Sequence, residues 1–181
     1  MSGLRRQRAR RVRRRTGDYN SLIDADGYRA NVGIMLSNAL GQLLWAKRTG
    51  MDAWQFPQGG IRPSENPQSA MFRELHEEIG LLPEHVAVLG CTQDWLRYRL
   101  PEEFVRRNAK PVCVGQKQIW YLLRLHGGDE LVRLDHSPRP EFDHWRWIDF
   151  WAPLSEVVAF KQQVYRQALQ ELQPLLDRCT A

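Results

Sequence analysis

The chain has 181 residues, 43% of them apolar, and a formal net charge of +5. This length is enough for one domain with a substantial core, and seven tryptophans argue against a wholly disordered chain. No apolar run approaches the 18 residues of a membrane span, and no apolar stretch follows the basic N-terminus as in a secretory signal. Three isolated cysteines without CxxC spacing are expected to be reduced thiols. These features favour a cytoplasmic protein.

The positive charge is concentrated at the N-terminus. Residues 1–21 contain eight arginines and one aspartate, so the remainder, with 18 basic and 20 acidic residues, is slightly acidic. The arginine-rich segment can be interpreted as an RNA-binding arm or as a dispensable extension. We favour the second interpretation, and predict a disordered basic extension over 1–21 followed by one folded domain over 22–181.

Strands are predicted in several parts of the chain. The segments YRANVGIMLSN and GQLLWAKR predict two strands joined by a turn at 38–41, where Asn and Gly tolerate the required backbone. The segments HVAVLGCTQDWLRYRL, QKQIWYLLRL and HWRWID each predict a further strand from their apolar and branched residues. Between them, PEEFVRRNAKP is predicted to be a charged loop or short helix.

Two helices are predicted. The first covers 67–79, because Asn66 can cap its start, Pro67 suits its first turn and Gly80 can supply a left-handed stop. The second lies at the C-terminus, within 155–179, where apolar residues recur at helical spacing. Its apolar face is predicted to contain Val157, Phe160, Val164, Ala168, Leu172 and Leu175. The elements together predict one α/β domain with a mixed sheet and flanking helices.

Three carboxylates crowd the first predicted helix. Glu74, Glu77 and Glu78 are three and four residues apart, where like charges repel by a few tenths of a kcal/mol per pair. A divalent cation such as Mg²⁺, which prefers oxygen ligands, would remove this repulsion, and Gly59 would let the backbone approach it closely. A solvated charged helix face would carry the same spacing. The residues alone therefore predict an oxygen-ligated metal site without excluding that alternative.

The stretch from Gly59 to Leu81 matches the Nudix box, GX5EX7REUXEEXGU with U aliphatic, at every specified position. The matching residues are Gly59, Glu65, Arg73, Glu74, Leu75, Glu77, Glu78, Gly80 and Leu81. The chain therefore resembles the Nudix hydrolase superfamily. The resemblance implies a Nudix-type α/β/α sandwich with a mixed β-sheet, and hydrolysis of a nucleoside diphosphate linked to another moiety.

The resemblance also implies roles for the box residues. Mg²⁺, for which Mn²⁺ or another divalent metal can substitute, would be bound by Glu74, Glu77, Glu78 and the backbone carbonyl of Gly59. Arg73 would orient the glutamates, Glu65 would hold the loop before the helix, and Gly80 would end the helix.

A carboxylate is also needed as general base. Metal ions lower the pKa of a bound water, which attacks phosphorus while the base takes its proton. Glu74 and Glu141 are both candidates for this base, and Glu78 is a third expected catalytic residue. Glu141, in the segment RPEFDHW, is also a candidate metal ligand, or it is a plain loop residue.

Segments outside the box indicate a branch of the superfamily. WQFPQGGI, DWLRYRLP and VVAFKQQVYR resemble the RNA pyrophosphohydrolases of bacteria, over roughly residues 23–170. The resemblance implies removal of pyrophosphate from triphosphorylated 5′ ends of single-stranded RNA, which initiates mRNA decay. Proteins of this kind usually begin near LIDADGYR, so we expect the natural start near Leu22. A protein activator is compatible with this function, although no motif identifies one.

Two alternatives remain. Dinucleoside polyphosphate hydrolases, which cleave diadenosine tetraphosphate, share WQFPQGG-like sequence and the same box. A catalytically silent Nudix fold used for binding is disfavoured by the intact glutamates.

For an RNA substrate, Arg29 and Lys161 are candidate phosphate contacts, and Tyr98 and Phe160 are candidate platforms for base stacking. Phe160 can equally be a core residue of the last helix, and Tyr98 can simply alternate along its strand.

Overall fold

The computed structural model describes residues 23–180. The predicted basic extension over 1–21 and the expected start near Leu22 lie outside the described residues. Within 23–180, no helix is both long and apolar enough to cross a membrane. Cys91 and Cys113 are free thiols, as expected.

Within residues 23–180, eight strands form one mixed sheet. They are β1 (Tyr28–Ser37), β2 (Leu43–Arg48), β3 (Trp54–Gln55), β4 (Gln58–Gly60), β5 (Val86–Cys91), β6 (Leu96–Arg99), β7 (Gly115–Leu125) and β8 (Phe142–Ile148). The central path is β3-β2-β1-β7-β5, with β4 also paired to β1, β6 to β7 and β8 to β2. β1 and β7 run parallel, from Tyr28 opposite Gly115 to Ser37 opposite Arg124. The other pairings are antiparallel.

The predicted hairpin of β1 and β2 is confirmed, but one predicted strand is in fact two. The segment HVAVLGCTQDWLRYRL forms β5 and β6, which both pair with β7. The four residues between β5 and β6, 92–95, lie opposite only two residues of β7, Ile119 and Trp120. The β-ladder is therefore interrupted there. The Thr92 hydroxyl accepts a hydrogen bond from the Trp120 N–H at 3.1 Å and closes this gap.

Helix α1 (Pro67–Ile79) has the bounds that its caps predict. The Asn66 side chain accepts a hydrogen bond from the Ser69 N–H at 2.8 Å. Gly80 is left-handed, with φ of 74°, and its N–H donates to the His76 carbonyl. Because these signals are local, the helix could be placed from the sequence alone.

The C-terminal helix is shorter than predicted. A short helix α2 (Pro153–Glu156) is followed by a 3₁₀ turn (Ala159–Lys161), and the long helix α3 covers Gln162–Thr180. Val157 and Val158 have extended ψ angles of 148° and 139° that break the helical path. The prediction that Val157 and Phe160 belong to the long helix is therefore wrong. The predicted face of α3 is otherwise buried at Val164, Ala168 and Leu172, with Leu175 partly buried.

The sheet separates two apolar layers. α1 packs on one face against residues such as Val32 and Leu123. α3 packs on the other face against a cluster of aromatic rings, whose centroids lie 4.9 to 6.0 Å apart: Trp45, Phe56, Trp120 and Tyr165. This arrangement confirms the predicted α/β/α sandwich with a mixed sheet.

Candidate active site

The short strand β4 packs against the acidic face of α1. The Gln58 N–H donates a hydrogen bond to the Glu78 carboxylate at 3.0 Å. A Cβ atom at Gly59 would overlap the carboxylate of Glu74, so only glycine fits at this position. The backbone of β4 therefore lies directly against two of the three predicted metal-binding glutamates.

Arg73 organises the acidic residues around it. Its guanidinium bonds both oxygens of Glu65, at 2.5 and 2.8 Å, and Glu74 at 2.5 Å. It also donates to the Gly60 carbonyl at 2.8 Å and to Glu77 at 3.2 Å. The hydrogen bonds to Glu65 and Glu74 raise the pKa of Arg73 although burial opposes its charge, and the hydrogen bonds of Arg73 lower the pKa of Glu65.

Glu74 and Glu78 lie where a negative charge is disfavoured. Burial raises the pKa of Glu74, despite its bonds to Arg73. The pKa of Glu78 is raised well above its usual range, first by burial and then by the carboxylates of Glu74 and Glu141. Glu77 is exposed and pairs with Arg62 at 3.1 Å. The site therefore holds buried carboxylates that a cation would stabilise.

Glu141 reaches the same region from the loop before β8. Its side chain pairs with Arg48 at 2.7 Å, and its carbonyl accepts a hydrogen bond from the Thr49 N–H at 2.9 Å. These contacts hold the loop against the end of β2. Its charge raises the pKa of Glu78, so this late loop faces the box helix.

The donor set fits a hard divalent cation. Among residues 23–180, no three acidic, histidine or cysteine side chains already converge as a ligand cluster. Arg73 occupies oxygens of Glu74 and Glu77 instead. The donors are nevertheless all oxygen atoms, burial and the neighbouring Glu74 carboxylate raise the pKa of Glu78, and the backbone of Gly59 lies directly against the Glu74 carboxylate.

A cleft of about 420 Å³ opens beside these carboxylates. It is bounded by Gln58, whose N–H bonds Glu78, and by the Arg48–Glu141 pair. Its apolar and aromatic wall contains Trp54, Tyr98, Leu100, Phe104, Val157 and Phe160. The cleft thus joins an acidic end, suited to a metal and phosphates, with an aromatic wall suited to bases.

Three of the four predicted substrate residues lie in this cleft. The Tyr98 and Phe160 ring centroids are 5.9 Å apart. The Lys161 ammonium bonds the side chains of Gln55 at 3.0 Å and Gln58 at 3.4 Å, and burial lowers the pKa of Lys161 to about 8. Lys161, the predicted phosphate contact, is therefore a buried residue of the cleft.

Arg29, the fourth predicted residue, lies on β1 against β4. A Cβ atom at Gly60 would overlap the Arg29 guanidinium, so this glycine makes room for the arginine. Sequence reasoning missed Gln55, Gln58 and Phe104. In the sequence, the two glutamines flank Phe56 and Pro57 just before the box, and Phe104 is a large aromatic residue inside a charged segment. These features are present in the sequence but do not by themselves identify a binding residue.

Comparison with known proteins agrees with this geometry. A family model described as NUDIX domain matches residues 27–171. A protein of Alkalilimnicola ehrlichii named RNA pyrophosphohydrolase is 63% identical over 155 residues, which cover 86% of this chain and 86% of the relative. A protein of the same name from Thioalkalivibrio sulfidiphilus is also 63% identical, over 86% of this chain and 90% of its own length.

Among solved structures, the dihydroneopterin triphosphate pyrophosphohydrolase of E. coli is similar with a TM-score of 0.61. The match covers 76% of this chain and 92% of that one at 19% sequence identity, and shows a common fold.

Proposed function

Because the chain belongs to the Nudix family of hydrolases, which act on phosphoanhydride bonds, we propose that it is an RNA pyrophosphohydrolase. It converts the 5′-triphosphate of a single-stranded RNA to a 5′-monophosphate and releases pyrophosphate. The observation that carries this proposal is the 63% identity to relatives of that name over 86% of the chain. A role in initiating mRNA decay and a cytoplasmic location follow from the same proposal.

The acidic end of the cleft suits the polyphosphate. Nudix hydrolases generally use divalent metal ions, and we assign Mg²⁺ to Glu74, Glu77, Glu78, Glu141 and the Gly59 carbonyl. When bound, such an ion neutralises charge on the phosphates and lowers the pKa of a water molecule. The raised pKa of Glu78 supports this assignment, because a nearby cation would offset the repulsion that raises it.

The protein residues have separate tasks in this scheme. Arg73 and Glu65 hold the acidic face of α1 against β4. Glu74 or Glu141 takes the proton from the attacking water, and either is consistent with the crowding of carboxylates around Glu78. Gln58 fixes the orientation of the Glu78 carboxylate through its backbone N–H.

The aromatic wall suits the RNA. Single-stranded RNA is held by phosphate contacts and by bases stacked on aromatic side chains. We assign stacking to Phe160, supported from behind by the buried ring of Tyr98. Lys161 and Arg29 are assigned to polar groups of the first nucleotides, because both cations lie beside β4 and therefore beside the carboxylates.

The test is a product analysis with a matched variant. Purified protein with MgCl₂ is incubated with a short 5′-triphosphorylated RNA, or with diadenosine tetraphosphate, and products are resolved by mass spectrometry. We expect conversion of the RNA to its 5′-monophosphate together with pyrophosphate. The Glu78→Gln variant should bind the RNA with similar affinity but lose hydrolysis.

Two results would contradict the proposal. Efficient cleavage of diadenosine tetraphosphate with inert RNA would make the protein a dinucleoside polyphosphate hydrolase. Full hydrolysis by the Glu78→Gln variant would show that the carboxylate site is assigned wrongly.

A further inference from the structure

Three aromatic rings follow one another along the cleft. The Tyr98 and Phe160 centroids are 5.9 Å apart, and those of Phe160 and Phe104 are 6.1 Å apart. Exposure increases along this series: Tyr98 is 7% exposed, Phe160 is half-buried and Phe104 is 57% exposed. The rings therefore lead from the interior of the cleft to open solvent.

The exposed ring of Phe104 is not needed to form its own turn. The 3₁₀ turn Glu102–Phe104 is closed by backbone hydrogen bonds, from Phe104 N–H to the Pro101 carbonyl and from Val105 N–H to the Glu102 carbonyl. Phe104 continues the row of rings formed by Tyr98 and Phe160, and a contiguous apolar surface bordered by charged residues is typical of a binding site. Phe104 also lines the same cleft as Phe160.

The segment around Phe104 is locally positive. Residues 99–110 contain four basic and two acidic residues, whereas the chain after residue 21 is slightly acidic as a whole. The four basic residues are all exposed: Arg99, Arg106, Arg107 and Lys110. One of them, Arg107, pairs with Glu102. Positive charge beside an exposed ring is complementary to a single nucleic-acid strand, which presents both phosphates and bases.

We propose that the RNA leaves the active site over Phe104, which stacks on a base downstream of the first two nucleotides, while the basic segment 99–110 contacts the following phosphates. This inference rests on the proposed RNA pyrophosphohydrolase function. The occupant is the 3′-ward part of the substrate itself. Phe104 serves the downstream bases because it lies on the solvent side of Phe160, whereas Lys161 and Gln58 lie on the side of the carboxylates.

The experiment compares substrate lengths. Steady-state constants are measured for a 5′-triphosphorylated dinucleotide and a 5′-triphosphorylated hexanucleotide. The wild-type protein should show a lower KM for the hexanucleotide. Phe104→Ala should raise the hexanucleotide KM roughly tenfold, in line with the loss of one base–aromatic stack, with kcat little changed. Its effect on the dinucleotide KM should be several times smaller.

Two further variants separate stacking from a structural effect. Phe104→Trp keeps an aromatic surface and should restore the low hexanucleotide KM. Leu40→Ala removes another exposed apolar side chain, 82% exposed in the turn between β1 and β2, and should change neither KM.

The outcomes distinguish this inference from the proposed function. Three results would overturn only the proposed path of the RNA over Phe104. They are equal KM values of the wild-type protein for the two RNAs, an equal effect of Phe104→Ala on both KM values, and no restoration of the low hexanucleotide KM by Phe104→Trp. Failure of the wild-type protein to hydrolyse either RNA would overturn the proposed function and this inference with it.

Discussion

Replacing Arg73 by lysine should destabilise the protein strongly although the charge is kept. Arg73 makes five hydrogen bonds, to Glu65 twice, to Glu74, to Glu77 and to the Gly60 carbonyl. Lysine presents three donors on one nitrogen and lacks the planar fork, so at least two of these bonds are lost. At about 1.5 kcal/mol or more for each bond to a charged group, the free energy of unfolding should fall by about 3 kcal/mol.

Arg62→Lys is a matched control. Arg62 also donates to Glu77, at 3.1 Å, but its side chain is 57% exposed, and an exposed pair contributes at most about 1 kcal/mol. Thermal unfolding without added metal measures both variants. For a domain of this size, we expect a decrease in Tm of about 6–12 °C for Arg73→Lys and less than about 4 °C for Arg62→Lys. Similar small shifts for both variants would refute the view that Arg73 organises the site.

Three other perturbations test separate parts of the structure. In urea unfolding, the stability of the wild type relative to Lys161→Met should increase between about pH 8 and 10.5, because the folded protein has then released a proton that the unfolded chain still binds. A stability difference that does not depend on pH would contradict a buried Lys161 ammonium. Glu78→Gln should increase the metal-free free energy of unfolding by about 1 kcal/mol, because it removes a buried charge beside other carboxylates. It should also lose the stabilisation by MgCl₂ that calorimetry is expected to show for the wild type. A destabilised Glu78→Gln protein that still responds to MgCl₂ would count against the site. Gly33→Ala would place a methyl group on the Trp120 ring and should cost about 2–3 kcal/mol in urea unfolding, and a loss below 1 kcal/mol would show that the sheet adapts there.

The box helix was predictable because its signals are local. Asn66, Pro67 and Gly80 define the ends of α1 through contacts within one turn of each end. The spacing of the glutamates likewise needs only helical geometry. The presence of all three glutamates on α1 was therefore predicted correctly.

The cleft could not be predicted in the same way, because distant segments decide it. Helical periodicity continues through 157–164, yet Val157 and Val158 are extended and the helix begins only at Gln162. This break places Lys161 against Gln55 and Gln58, about a hundred residues earlier in the chain. No local pattern contains such a contact.

The bidentate bonding of Glu65 by Arg73 has a similar origin. The two residues are eight positions apart, and the loop before α1 must fold back for them to meet. The family resemblance implied supporting roles for both residues, but not that they bond each other.

The most direct test of the central claim is a competition between two substrates. Equal concentrations of a 5′-triphosphorylated hexanucleotide and diadenosine tetraphosphate are mixed with the wild-type protein and MgCl₂, and both are followed by mass spectrometry at early times. The ratio of consumption rates gives the ratio of kcat/KM values directly. We predict that the RNA is consumed at least roughly tenfold faster, which corresponds to the contribution of a single base stack on the aromatic wall. Faster consumption of the dinucleotide would contradict the assignment of this cleft to RNA.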